Sequence, residues 1–380
     1  MEHRINLDNI IYHHITSKNA WSKLDSDKLP DTLINQISQK MKSLTIQSNL
    51  SSPAIIRKRI EKIRKNRIQL QKIKKLPYVQ QRSDEWYEIR NNLITASDFG
   101  DALGIEKFGK KNDGKSFYKK KCGYETVTYD TASIFLQWGV MFEPVATSLY
   151  ETRTGIPVHE FGIIKHPRHN FLGASPDGIN DLGVMLEIKC PYKRVITDDS
   201  ILKQYYYQMQ GQLDACDLDE CDFLEVKFEE YDCEDTFWED YENDFGVYTS
   251  NFMEKGIIHK MYDSSYIYSP PNLPKDELEK WNKQQLSKSQ TAKVIFWYVD
   301  LFSLKRVESN RSFINNMNIQ LQDVWNKVLE YRNNPELYKK QIEGGGSSGT
   351  SSTTNNPNKK TISTRKSQNT IGALFREEYE

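Results

Sequence analysis

The sequence SPDGINDLGVMLEIKCP occupies residues 175–191 and carries the strongest structural signal in the chain. It places two acids, Asp177 and Glu187, ten positions apart, and Lys189 follows the second acid after one residue. Because alternate side chains of a β-strand share one face, Glu187 and Lys189 should project together while Ile188 faces the core. The pattern predicts two carboxylates and one ammonium group at a single place on a sheet.

The segment between the two acids is rich in turn formers. Asn180, Asp181 and Gly183 all favour a tight connection. We therefore predict an antiparallel hairpin that pairs residues 171–175 with residues 184–190. In this hairpin the two carboxylates lie roughly opposite each other.

These side chains suit one kind of chemistry. Carboxylate oxygens are the ligands that Mg²⁺ and Mn²⁺ prefer, and both ions also accept water and substrate phosphate oxygens. A neighbouring ammonium group can orient the attacking water and stabilise the charge of a phosphoryl transition state. The residues predict metal-dependent cleavage of nucleic acid, although a Glu-x-Lys pair on an exposed strand is more often a solvated charge pair.

Further sequence blocks stand in a definite order on both sides of this stretch. They are WYEIR at 86–90, LITAS at 93–97, WGVMFEP at 138–144 and YYYQMQ at 205–210. In this order and spacing, roughly residues 80–330 resemble the YqaJ-type viral recombinase nucleases, the family of bacteriophage lambda exonuclease. The resemblance implies an α/β (α+β) fold with a PD-(D/E)-x-K nuclease core, in which a mixed central sheet is flanked by helices.

The resemblance also implies the composition of the catalytic centre. Its members would be Glu143, Asp177, Glu187, Ile188, Lys189 and Gln208. Three carboxylates and the Ile188 carbonyl would hold the metal ion. Lys189 would be the catalytic lysine, and Gln208 would lie beside it on the next helix.

Periodicity adds independent support for several elements. Apolar residues recur at positions 135, 138, 142, 146 and 149, a helical spacing that leaves Glu143 beside the buried stripe. A carboxylate there needs a cation partner, and the alternative is an ordinary glutamate on a helix surface. Residues 223–228 and 293–304 are typical of strands, and 312–332 of a helix.

A second group matches the positions where these relatives hold a terminal phosphate. It consists of Arg90, Thr95 and Ser97. The planar guanidinium binds phosphate through two hydrogen bonds, and a hydroxyl can donate another. Ser97 could also cap the helix that begins near Asp98, a role compatible with phosphate binding at that helix N-terminus. Capture of a 5′-phosphate beside the metal favours an exonuclease over an endonuclease.

Charge is balanced overall but segregated along the chain. Lys+Arg and Asp+Glu both number 52, yet residues 57–75 carry ten basic side chains against the single acid Glu61. This run predicts either a solvated helix face or a contact with the duplex backbone. No apolar run is long enough for a signal peptide or a membrane span. We therefore expect a soluble, intracellular protein of the host cytoplasm or nucleus, or of a viral replication site, with no membrane partner.

Two motifs and the cysteines argue against other chemistries. GKKNDGKS at 109–116 fits the P-loop pattern, but no buried apolar strand precedes it, so we expect a flexible basic loop that could contact DNA phosphate. His166 and His169 lack further metal ligands nearby. The five cysteines include no C-x-x-C pair, which excludes the usual zinc and iron–sulfur motifs.

Composition divides the chain into four segments. They are a helical N-terminal extension with a basic helix (1–77), the nuclease domain (78–335), a flexible Gly/Ser/Thr/Asn-rich linker expected to be disordered (336–367) and a candidate clamp-binding peptide (368–380). The peptide has the pattern Q-x-x-I-x-x-L-F, formed by Gln368, Ile371, Leu374 and Phe375. It resembles the peptide that binds sliding clamps of the PCNA type, except that Leu374 stands where an aromatic residue is common.

The function expected from the residues and the resemblance is a Mg²⁺-dependent deoxyribonuclease, in which Mn²⁺ could substitute. It would resect duplex DNA ends from 5′ to 3′ for recombination or repair, a polarity that rests on the resemblance alone. The alternatives are a structure-specific or restriction-like endonuclease and a non-catalytic DNA-binding recombination factor. Expected partners are double-stranded DNA ends, a sliding clamp and a single-strand annealing protein.

Overall fold

The computed structural model describes residues 2–19, 21, 31–43, 52–107, 109–124, 133–197, 200–242, 246–288 and 290–343. The candidate peptide with Gln368, Ile371, Leu374 and Phe375 lies outside these residues. The first part of the predicted linker differs from expectation, because residues 336–343 are helical and bury Tyr338 and Ile342. The folded domain therefore continues to at least residue 343.

Helices form the outer layers of the described structure. Their bounds are α1 (Glu2–Ser17), α2 (Asp31–Ser43), α3 (Pro53–Ile73), α4 (Asp84–Asn91), α5 (Phe99–Ala102), α6 (Lys115–Cys122), α7 (Ile134–Thr154), α8 (Lys203–Cys216), α9 (Glu234–Glu239), α10 (Lys275–Lys288), α11 (Arg311–Asn333) and α12 (Pro335–Tyr338). Shorter turns are 3₁₀ at Ala96–Asp98 and Asp240–Glu242 and π-helical at Lys339–Glu343. In the described part of the chain, no helix has the length and apolar character to cross a membrane.

Two sheets lie between the helices. The strands are β1 (Ile94–Thr95), β2 (Val158–His159), β3 (Ile164–Lys165), β4 (Leu172–Ala174), β5 (Gly178–Asn180), β6 (Met185–Lys189), β7 (Glu220–Glu230), β8 (Lys255–Met261), β9 (Tyr266–Tyr268) and β10 (Thr291–Glu308). The larger sheet has the order β2-β5-β6-β7-β10-β8-β9, and the smaller one β1-β4-β3. The pairs β6–β7 and β1–β4 are parallel, whereas the others are antiparallel. The mixed α/β architecture expected from the sequence is confirmed.

Alternation along β6 directs its side chains to two helical layers. Leu186 and Ile188 belong to the core cluster that β6, β7 and β10 form with α7. Met185 points the other way, into the cluster that contains the apolar side of α8. Glu187 shares the face of Met185, since side chains two apart on a strand lie on the same side. The strand therefore carries its acidic residue toward α8.

The hairpin before Glu187 uses a different strand from the predicted one. Residues 171–175 do not pair with β6; their central part is β4, which belongs to the smaller sheet. β5 is the partner instead, with Gly178 opposite Leu186. Continuing this register by one residue places Asp177 opposite Glu187, so the expected opposition of the carboxylates is retained.

The turn prediction is confirmed, and the basic helix α3 packs against this turn. Gly183 has φ of +75°, a left-handed conformation that favours glycine. A Cβ atom on Gly183 would lie 2.6 Å from the carbonyl carbon of Asn66 in α3. Only glycine permits this close approach, which fixes the position of the turn that leads into β6.

The cations of α3 are largely engaged within the protein. Arg59 pairs with Asp8 of α1 and with Glu220 at the start of β7, and all three side chains are buried. Lys62 also pairs with Glu220 at 3.0 Å, and Lys65 pairs with Asp219 at 2.8 Å. These contacts favour a structural use of the basic run over a contact with duplex backbone.

Candidate active site

Glu187 occupies the centre of a dense hydrogen-bond arrangement. Its side chain is 0% exposed, on an interior strand of the larger sheet. Oε1 accepts hydrogen bonds from Gln208 at 2.6 Å and from Lys189 at 3.0 Å, while Oε2 accepts one from Gln212 at 2.7 Å. Because burial of an isolated carboxylate is costly, these donors explain how the charge is kept there.

The two glutamines come from one face of α8. Gln208 and Gln212 are four residues apart and therefore lie one above the other. Gln208 is where the sequence places it, next to Lys189. Gln212 was not singled out from the sequence, and its only signal is the i+4 spacing from Gln208. Together the two amides fix both oxygens of Glu187.

Asp177 faces the same place from the β5 side. Its Oδ2 accepts a hydrogen bond from the backbone N–H of Ile188 at 2.6 Å, which ties the aspartate to β6. Burial raises the pKa of Asp177 well above its ordinary value, and the nearby carboxylates of Glu187 and Glu143 raise it further. Lys189 and the Ile188 N–H act in the opposite direction. A cation bound beside Asp177 would therefore offset the repulsion between these carboxylates.

Glu143 on α7 is the third carboxylate of the site. We call Asp177, Glu187 and Glu143 the acidic set. Its side chain is 34% exposed and accepts a hydrogen bond from Arg82 Nη2 at 3.0 Å. The predicted stripe on α7 is confirmed, with Phe142 buried and stacked on Phe228 of β7 at a centroid distance of 4.4 Å. The cation partner expected for Glu143 is an arginine of the chain itself.

Lys189 lies between the acidic set and an aromatic ring. Its Nζ is 3.0 Å from Glu187 Oε1 and 4.9 Å from the centroid of the Tyr205 ring. The ion pair and the ring fix the ammonium group on the strand face predicted from the sequence. Ile188 between them is buried, also as predicted.

The donor set fits a hard divalent cation in its chemistry. Oxygen ligands from three carboxylates and a backbone carbonyl are what Mg²⁺ and Mn²⁺ require. As the side chains stand, no group of three or more His, Cys, Asp or Glu residues within the described ranges could hold a metal ion. Each acid is instead bonded to a protein donor: Asp177 to Ile188 N–H, Glu187 to Lys189 and the glutamines, and Glu143 to Arg82.

A second cluster, which we call the basic cluster, surrounds Asp98. It consists of Arg90, Lys120 and Lys121, whose nitrogens lie 3.8, 2.7 and 2.9 Å from the Asp98 carboxylate. Burial opposes ionisation of Asp98, but the three cations outweigh it and lower its pKa well below the ordinary value. The cluster thus has three basic groups around one acid. Lys120 and Lys121 were missed in the sequence, where they stand in a run of three lysines.

The predicted phosphate-binding residues lie together at this cluster. Arg90 Nη2 donates to Ser97 Oγ at 2.9 Å, and its guanidinium lies 4.3 Å from the centroid of the Trp86 ring. Thr95 Oγ1 is 3.3 Å from Ser97 Oγ and donates to Asp98 Oδ2 at 2.8 Å. The three predicted residues therefore present a guanidinium and two hydroxyls side by side.

The capping role considered for Ser97 is wrong. The local cap is a reciprocal one between Thr95 and Asp98, whose side chains satisfy each other's backbone N–H groups. Ser97 lies inside the short 3₁₀ turn, and its hydroxyl is bonded to Arg90 instead. Lys120, Lys121 and Arg90 lower the pKa of Asp98 and so favour the ionised form, which is the stronger hydrogen-bond acceptor.

Helix α4 joins the two clusters. Arg90 near its end belongs to the basic cluster, while Trp86 in its first turn donates from Nε1 to Ser175 Oγ at 3.1 Å. The carbonyl of Ser175 in turn accepts a hydrogen bond from Gln212 at 3.5 Å, and Gln212 holds Glu187. A continuous set of contacts therefore connects the phosphate-binding residues with the acidic set.

The P-loop-like sequence and His166 both have structural roles. Lys115 and Ser116 of the P-loop-like sequence begin α6, so this end of the expected flexible loop is helical and positions Lys120 and Lys121. His166 is buried and bonded to Asp214 at 2.8 Å, and its Nδ1 accepts two backbone N–H groups. Both ring nitrogens are thus engaged, and this histidine is not a metal ligand.

Part of the chain is similar to a known domain family. Residues 85–219, which contain both clusters, match the model of the YqaJ-like viral recombinase domain. This match is to the same nuclease class that the motif order predicts. An uncharacterized protein of Acanthamoeba polyphaga mimivirus is 29% identical, with 77% of this chain and 60% of that protein covered. The chain therefore spans about three fifths of the curated relative's length.

Solved structures of exonucleases are also similar. The alkaline exonuclease LHK-Exo from Laribacter hongkongensis matches with a TM-score of 0.42 and 18% identity, covering 68% of this chain and all of that one. Its complex with dAMP gives 0.41 and 19%, covering 69% and 99%. A phage-related exonuclease from Haemophilus somnus 129PT gives 0.34 and 14%, covering 67% and 96%.

Proposed function

We propose that the protein is a Mg²⁺-dependent deoxyribonuclease that degrades duplex DNA from 5′ ends and leaves 3′ single strands. The three acids, with Lys189 beside them, are connected through α4 to the basic cluster, which suits a terminal phosphate. This connection is the observation that carries the proposal. The match of residues 85–219 to the YqaJ-like viral recombinase domain supports the nuclease chemistry. The metal, the polarity and the DNA end as substrate are the proposed parts.

In this proposal the metal ion is held by Asp177, Glu187, Glu143 and the Ile188 carbonyl. When bound, it would lower the pKa of a water molecule and polarise the scissile phosphate. The protein groups provide the remaining functions. Gln208 and Gln212 keep the Glu187 oxygens in one orientation, as partners of metal ligands generally do.

Lys189 is the electrostatic group of the centre. Its ammonium is held beside Glu187, on the strand face that the acids share, and can donate to an attacking water or to a phosphoryl oxygen. Such a fixed charge stabilises the transition state more than the ground state, because negative charge accumulates there during the reaction. Lys189 therefore contributes mainly to turnover.

The basic cluster would hold the 5′-terminal phosphate. Arg90 offers its guanidinium N–H groups and Ser97 offers a hydroxyl, a combination suited to phosphate. Thr95, whose buried hydroxyl donates to Asp98, lies beside Ser97 and would support it. Lys120 adds charge to the same place. A phosphate held there sets the distance from the DNA end to the acidic set, which restricts cleavage to ends.

One experiment distinguishes the proposed exonuclease from an endonuclease and from a non-catalytic recombination factor. Linear duplex with 5′-phosphates and covalently closed circular duplex are incubated with the protein in Mg²⁺ and in EDTA. Degradation of linear DNA only, and only with Mg²⁺, is the expected result. Cleavage of the closed circle indicates the endonuclease, and binding without cleavage indicates the recombination factor.

Partner proteins follow from the proposed product and from the tail sequence. A nuclease that leaves 3′ single strands would act with a single-strand annealing protein. The peptide at 368–380 is proposed to bind a sliding clamp of the PCNA type, since Ile371 and Phe375 are apolar anchors after a polar linker. Titration of a 366–380 peptide and its Ile371→Ala/Phe375→Ala form against that clamp tests this part: only the first peptide should bind.

A further inference from the structure

The segment that leads into α4 carries an unusual arginine. Arg82 has φ of +66°, a left-handed conformation that costs free energy for a residue with a side chain. Such a conformation persists only where the surroundings impose it, and it is frequent at functional sites. The position therefore needs an explanation beyond local sequence preference.

The surroundings of Arg82 impose this conformation from both sides. On one side, Gln81 Nε2 donates to the carbonyl oxygens of Phe161 at 3.0 Å and Pro176 at 3.4 Å. On the other, Ser83 Oγ caps α4 by accepting the N–H of Trp86 at 3.2 Å. The backbone of Arg82 is thereby fixed directly beside the loop that carries Asp177.

From this place the Arg82 side chain reaches the acidic set. Its Nη2 lies 3.0 Å from Glu143 Oε2, with the two side chains 48% and 34% exposed. Glu143 is close enough to Asp177 for its charge to raise the pKa of the aspartate. Exposed ion pairs of this kind contribute little to folding stability. The pair therefore does not explain why a strained backbone is kept at residue 82.

We propose that Arg82 is an exchangeable counterion of the acidic set. It neutralises Glu143 while no metal is bound, and it binds a DNA backbone phosphate next to the cleaved one when a divalent cation takes over the carboxylate. The inference rests on the proposed metal-dependent nuclease function. The same guanidinium suits both partners, because carboxylate and phosphate accept its forked N–H groups in the same way.

Two consequences are measurable without catalysis. Removal of Arg82 abolishes a competitor for Glu143, so divalent cations should bind more tightly to the variant. The change should be about two- to fivefold, the range of an exposed ion pair. Conversely, release of Arg82 by Glu143→Gln should strengthen DNA binding in EDTA and steepen its salt dependence by about one phosphate contact.

The variants are chosen so that folding is not at risk. Arg82→Gly removes the side chain and suits the positive φ, so its melting temperature should equal or exceed that of the wild type. Arg82→Lys keeps the charge and should stay near wild-type metal affinity. Lys293→Ala is the matched control: Lys293 pairs with Glu230 at 2.9 Å, with 58% and 33% exposure, on β10.

The test is calorimetric titration of Mn²⁺ into the full-length wild type, Arg82→Gly, Arg82→Lys and Lys293→Ala proteins. Tighter binding by Arg82→Gly alone is the expected result. Equal Mn²⁺ affinity of Arg82→Gly and wild type overturns the counterion role, whereas the absence of Mn²⁺ binding by the wild type overturns the metal-dependent function itself.

A mutant cycle tests the second half. Duplex binding in EDTA is measured for wild type, Glu143→Gln, Arg82→Gly and the double variant at several salt concentrations. The gain caused by Glu143→Gln should largely vanish in the Arg82→Gly background. A gain of the same size in both backgrounds means that only the lost carboxylate charge matters, and it overturns the proposed transfer of Arg82 to phosphate.

Discussion

The acidic set and the basic cluster differ in the sign of the charge that predominates in each. In the first, the half-buried Asp177 and the buried Glu187 lie beside one lysine and a set of neutral donors. In the second, three cations surround the single acid Asp98. With Glu143 and its partner Arg82 included, the first region has three acids and two cations, whereas the second has three cations around one acid. The difference indicates where a metal cation and a phosphate anion would bind.

The largest expected effect comes from removal of either Asp177 or Glu187. Asp177→Ala and Glu187→Ala should both abolish cleavage, because the remaining ligands cannot hold the metal. Their stabilities should differ. Asp177→Ala relieves repulsion and loses one hydrogen bond, from the Ile188 N–H. Glu187→Ala removes the carboxylate that Gln208, Gln212 and Lys189 share, at a cost of about 1–3 kcal/mol. Nuclease assays and thermal melts check both statements.

The exposed acid Asp323 on α11 provides the control for this pair. Asp323→Ala should leave activity and melting temperature unchanged. Substantial residual cleavage by either active-site variant would remove Asp177 and Glu187 from the metal site.

The next largest effect is expected for Lys189, the cation that the sequence predicts beside the acids. Lys189→Ala should lower turnover by about 10²- to 10³-fold, the size expected for a group that stabilises developing charge. Its DNA affinity should change little. Single-turnover kinetics and equilibrium binding separate the two quantities, and a loss confined to affinity would make Lys189 a phosphate clamp instead.

In the basic cluster, Arg90→Ala should erase the preference for a 5′-phosphorylated end over a 5′-hydroxyl end. Lys120→Ala should reduce the preference without erasing it, because Lys120 contributes charge but not the paired N–H groups. Cleavage rates on the two substrates give the ratio for each variant. If Arg90→Ala keeps the wild-type ratio, the basic cluster is not the end sensor.

A smaller effect distinguishes a positioning residue from a structural one. Gln212→Ala should reduce turnover by about tenfold, since loss of one hydrogen bond to a charged group costs about 1.5 kcal/mol or more. Gln210 is the matched control on α8, because it is also buried but bonds the backbone of Glu308 and Asn310. Both variants should lose stability, but only Gln212→Ala should lose turnover.

The smallest effect is a pH dependence in the basic cluster. Burial lowers the pKa of Lys121 to about 7 in the folded protein. The charge of Asp98 raises this pKa but does not outweigh burial. The unfolded chain therefore binds more protons than the folded one above about pH 7, up to the ordinary lysine value near 10.4. Wild type should gain stability relative to Lys121→Met as pH rises through this window. A difference in melting temperature that is constant or falls with pH contradicts this assignment.

Local rules were sufficient for Asp177 and Glu187, whereas Glu143 was assigned to the set through the family resemblance. Alternation along β6 places Glu187 and Lys189 together, and turn chemistry at 180–183 brings Asp177 opposite Glu187. The long elements were equally readable, since the segments predicted at 223–228, 293–304 and 312–332 lie inside β7, β10 and α11. In each case the decisive information lies within a few consecutive residues.

Contacts between distant segments were not readable from local patterns. Residues 171–175 do contain a strand, but its pairing with β1 and β3 rather than β6 depends on the packing of the whole domain. Lys120 and Lys121 reach Asp98 only because α6 docks there. The roles of Gln212 and Arg82 likewise depend on their partners Glu187 and Glu143, which are 25 and 61 residues away in the sequence. Spacing within one segment cannot reveal such pairs.

The most direct test of the link between the two clusters uses a linear duplex with a 5′-phosphate on one strand only. With Mg²⁺ and wild-type protein, the phosphorylated strand should be degraded from its 5′ end while the other strand remains intact. Equal degradation of both strands, or shortening from the 3′ ends, would contradict the proposal that the basic cluster presents a 5′-phosphate to the acidic set.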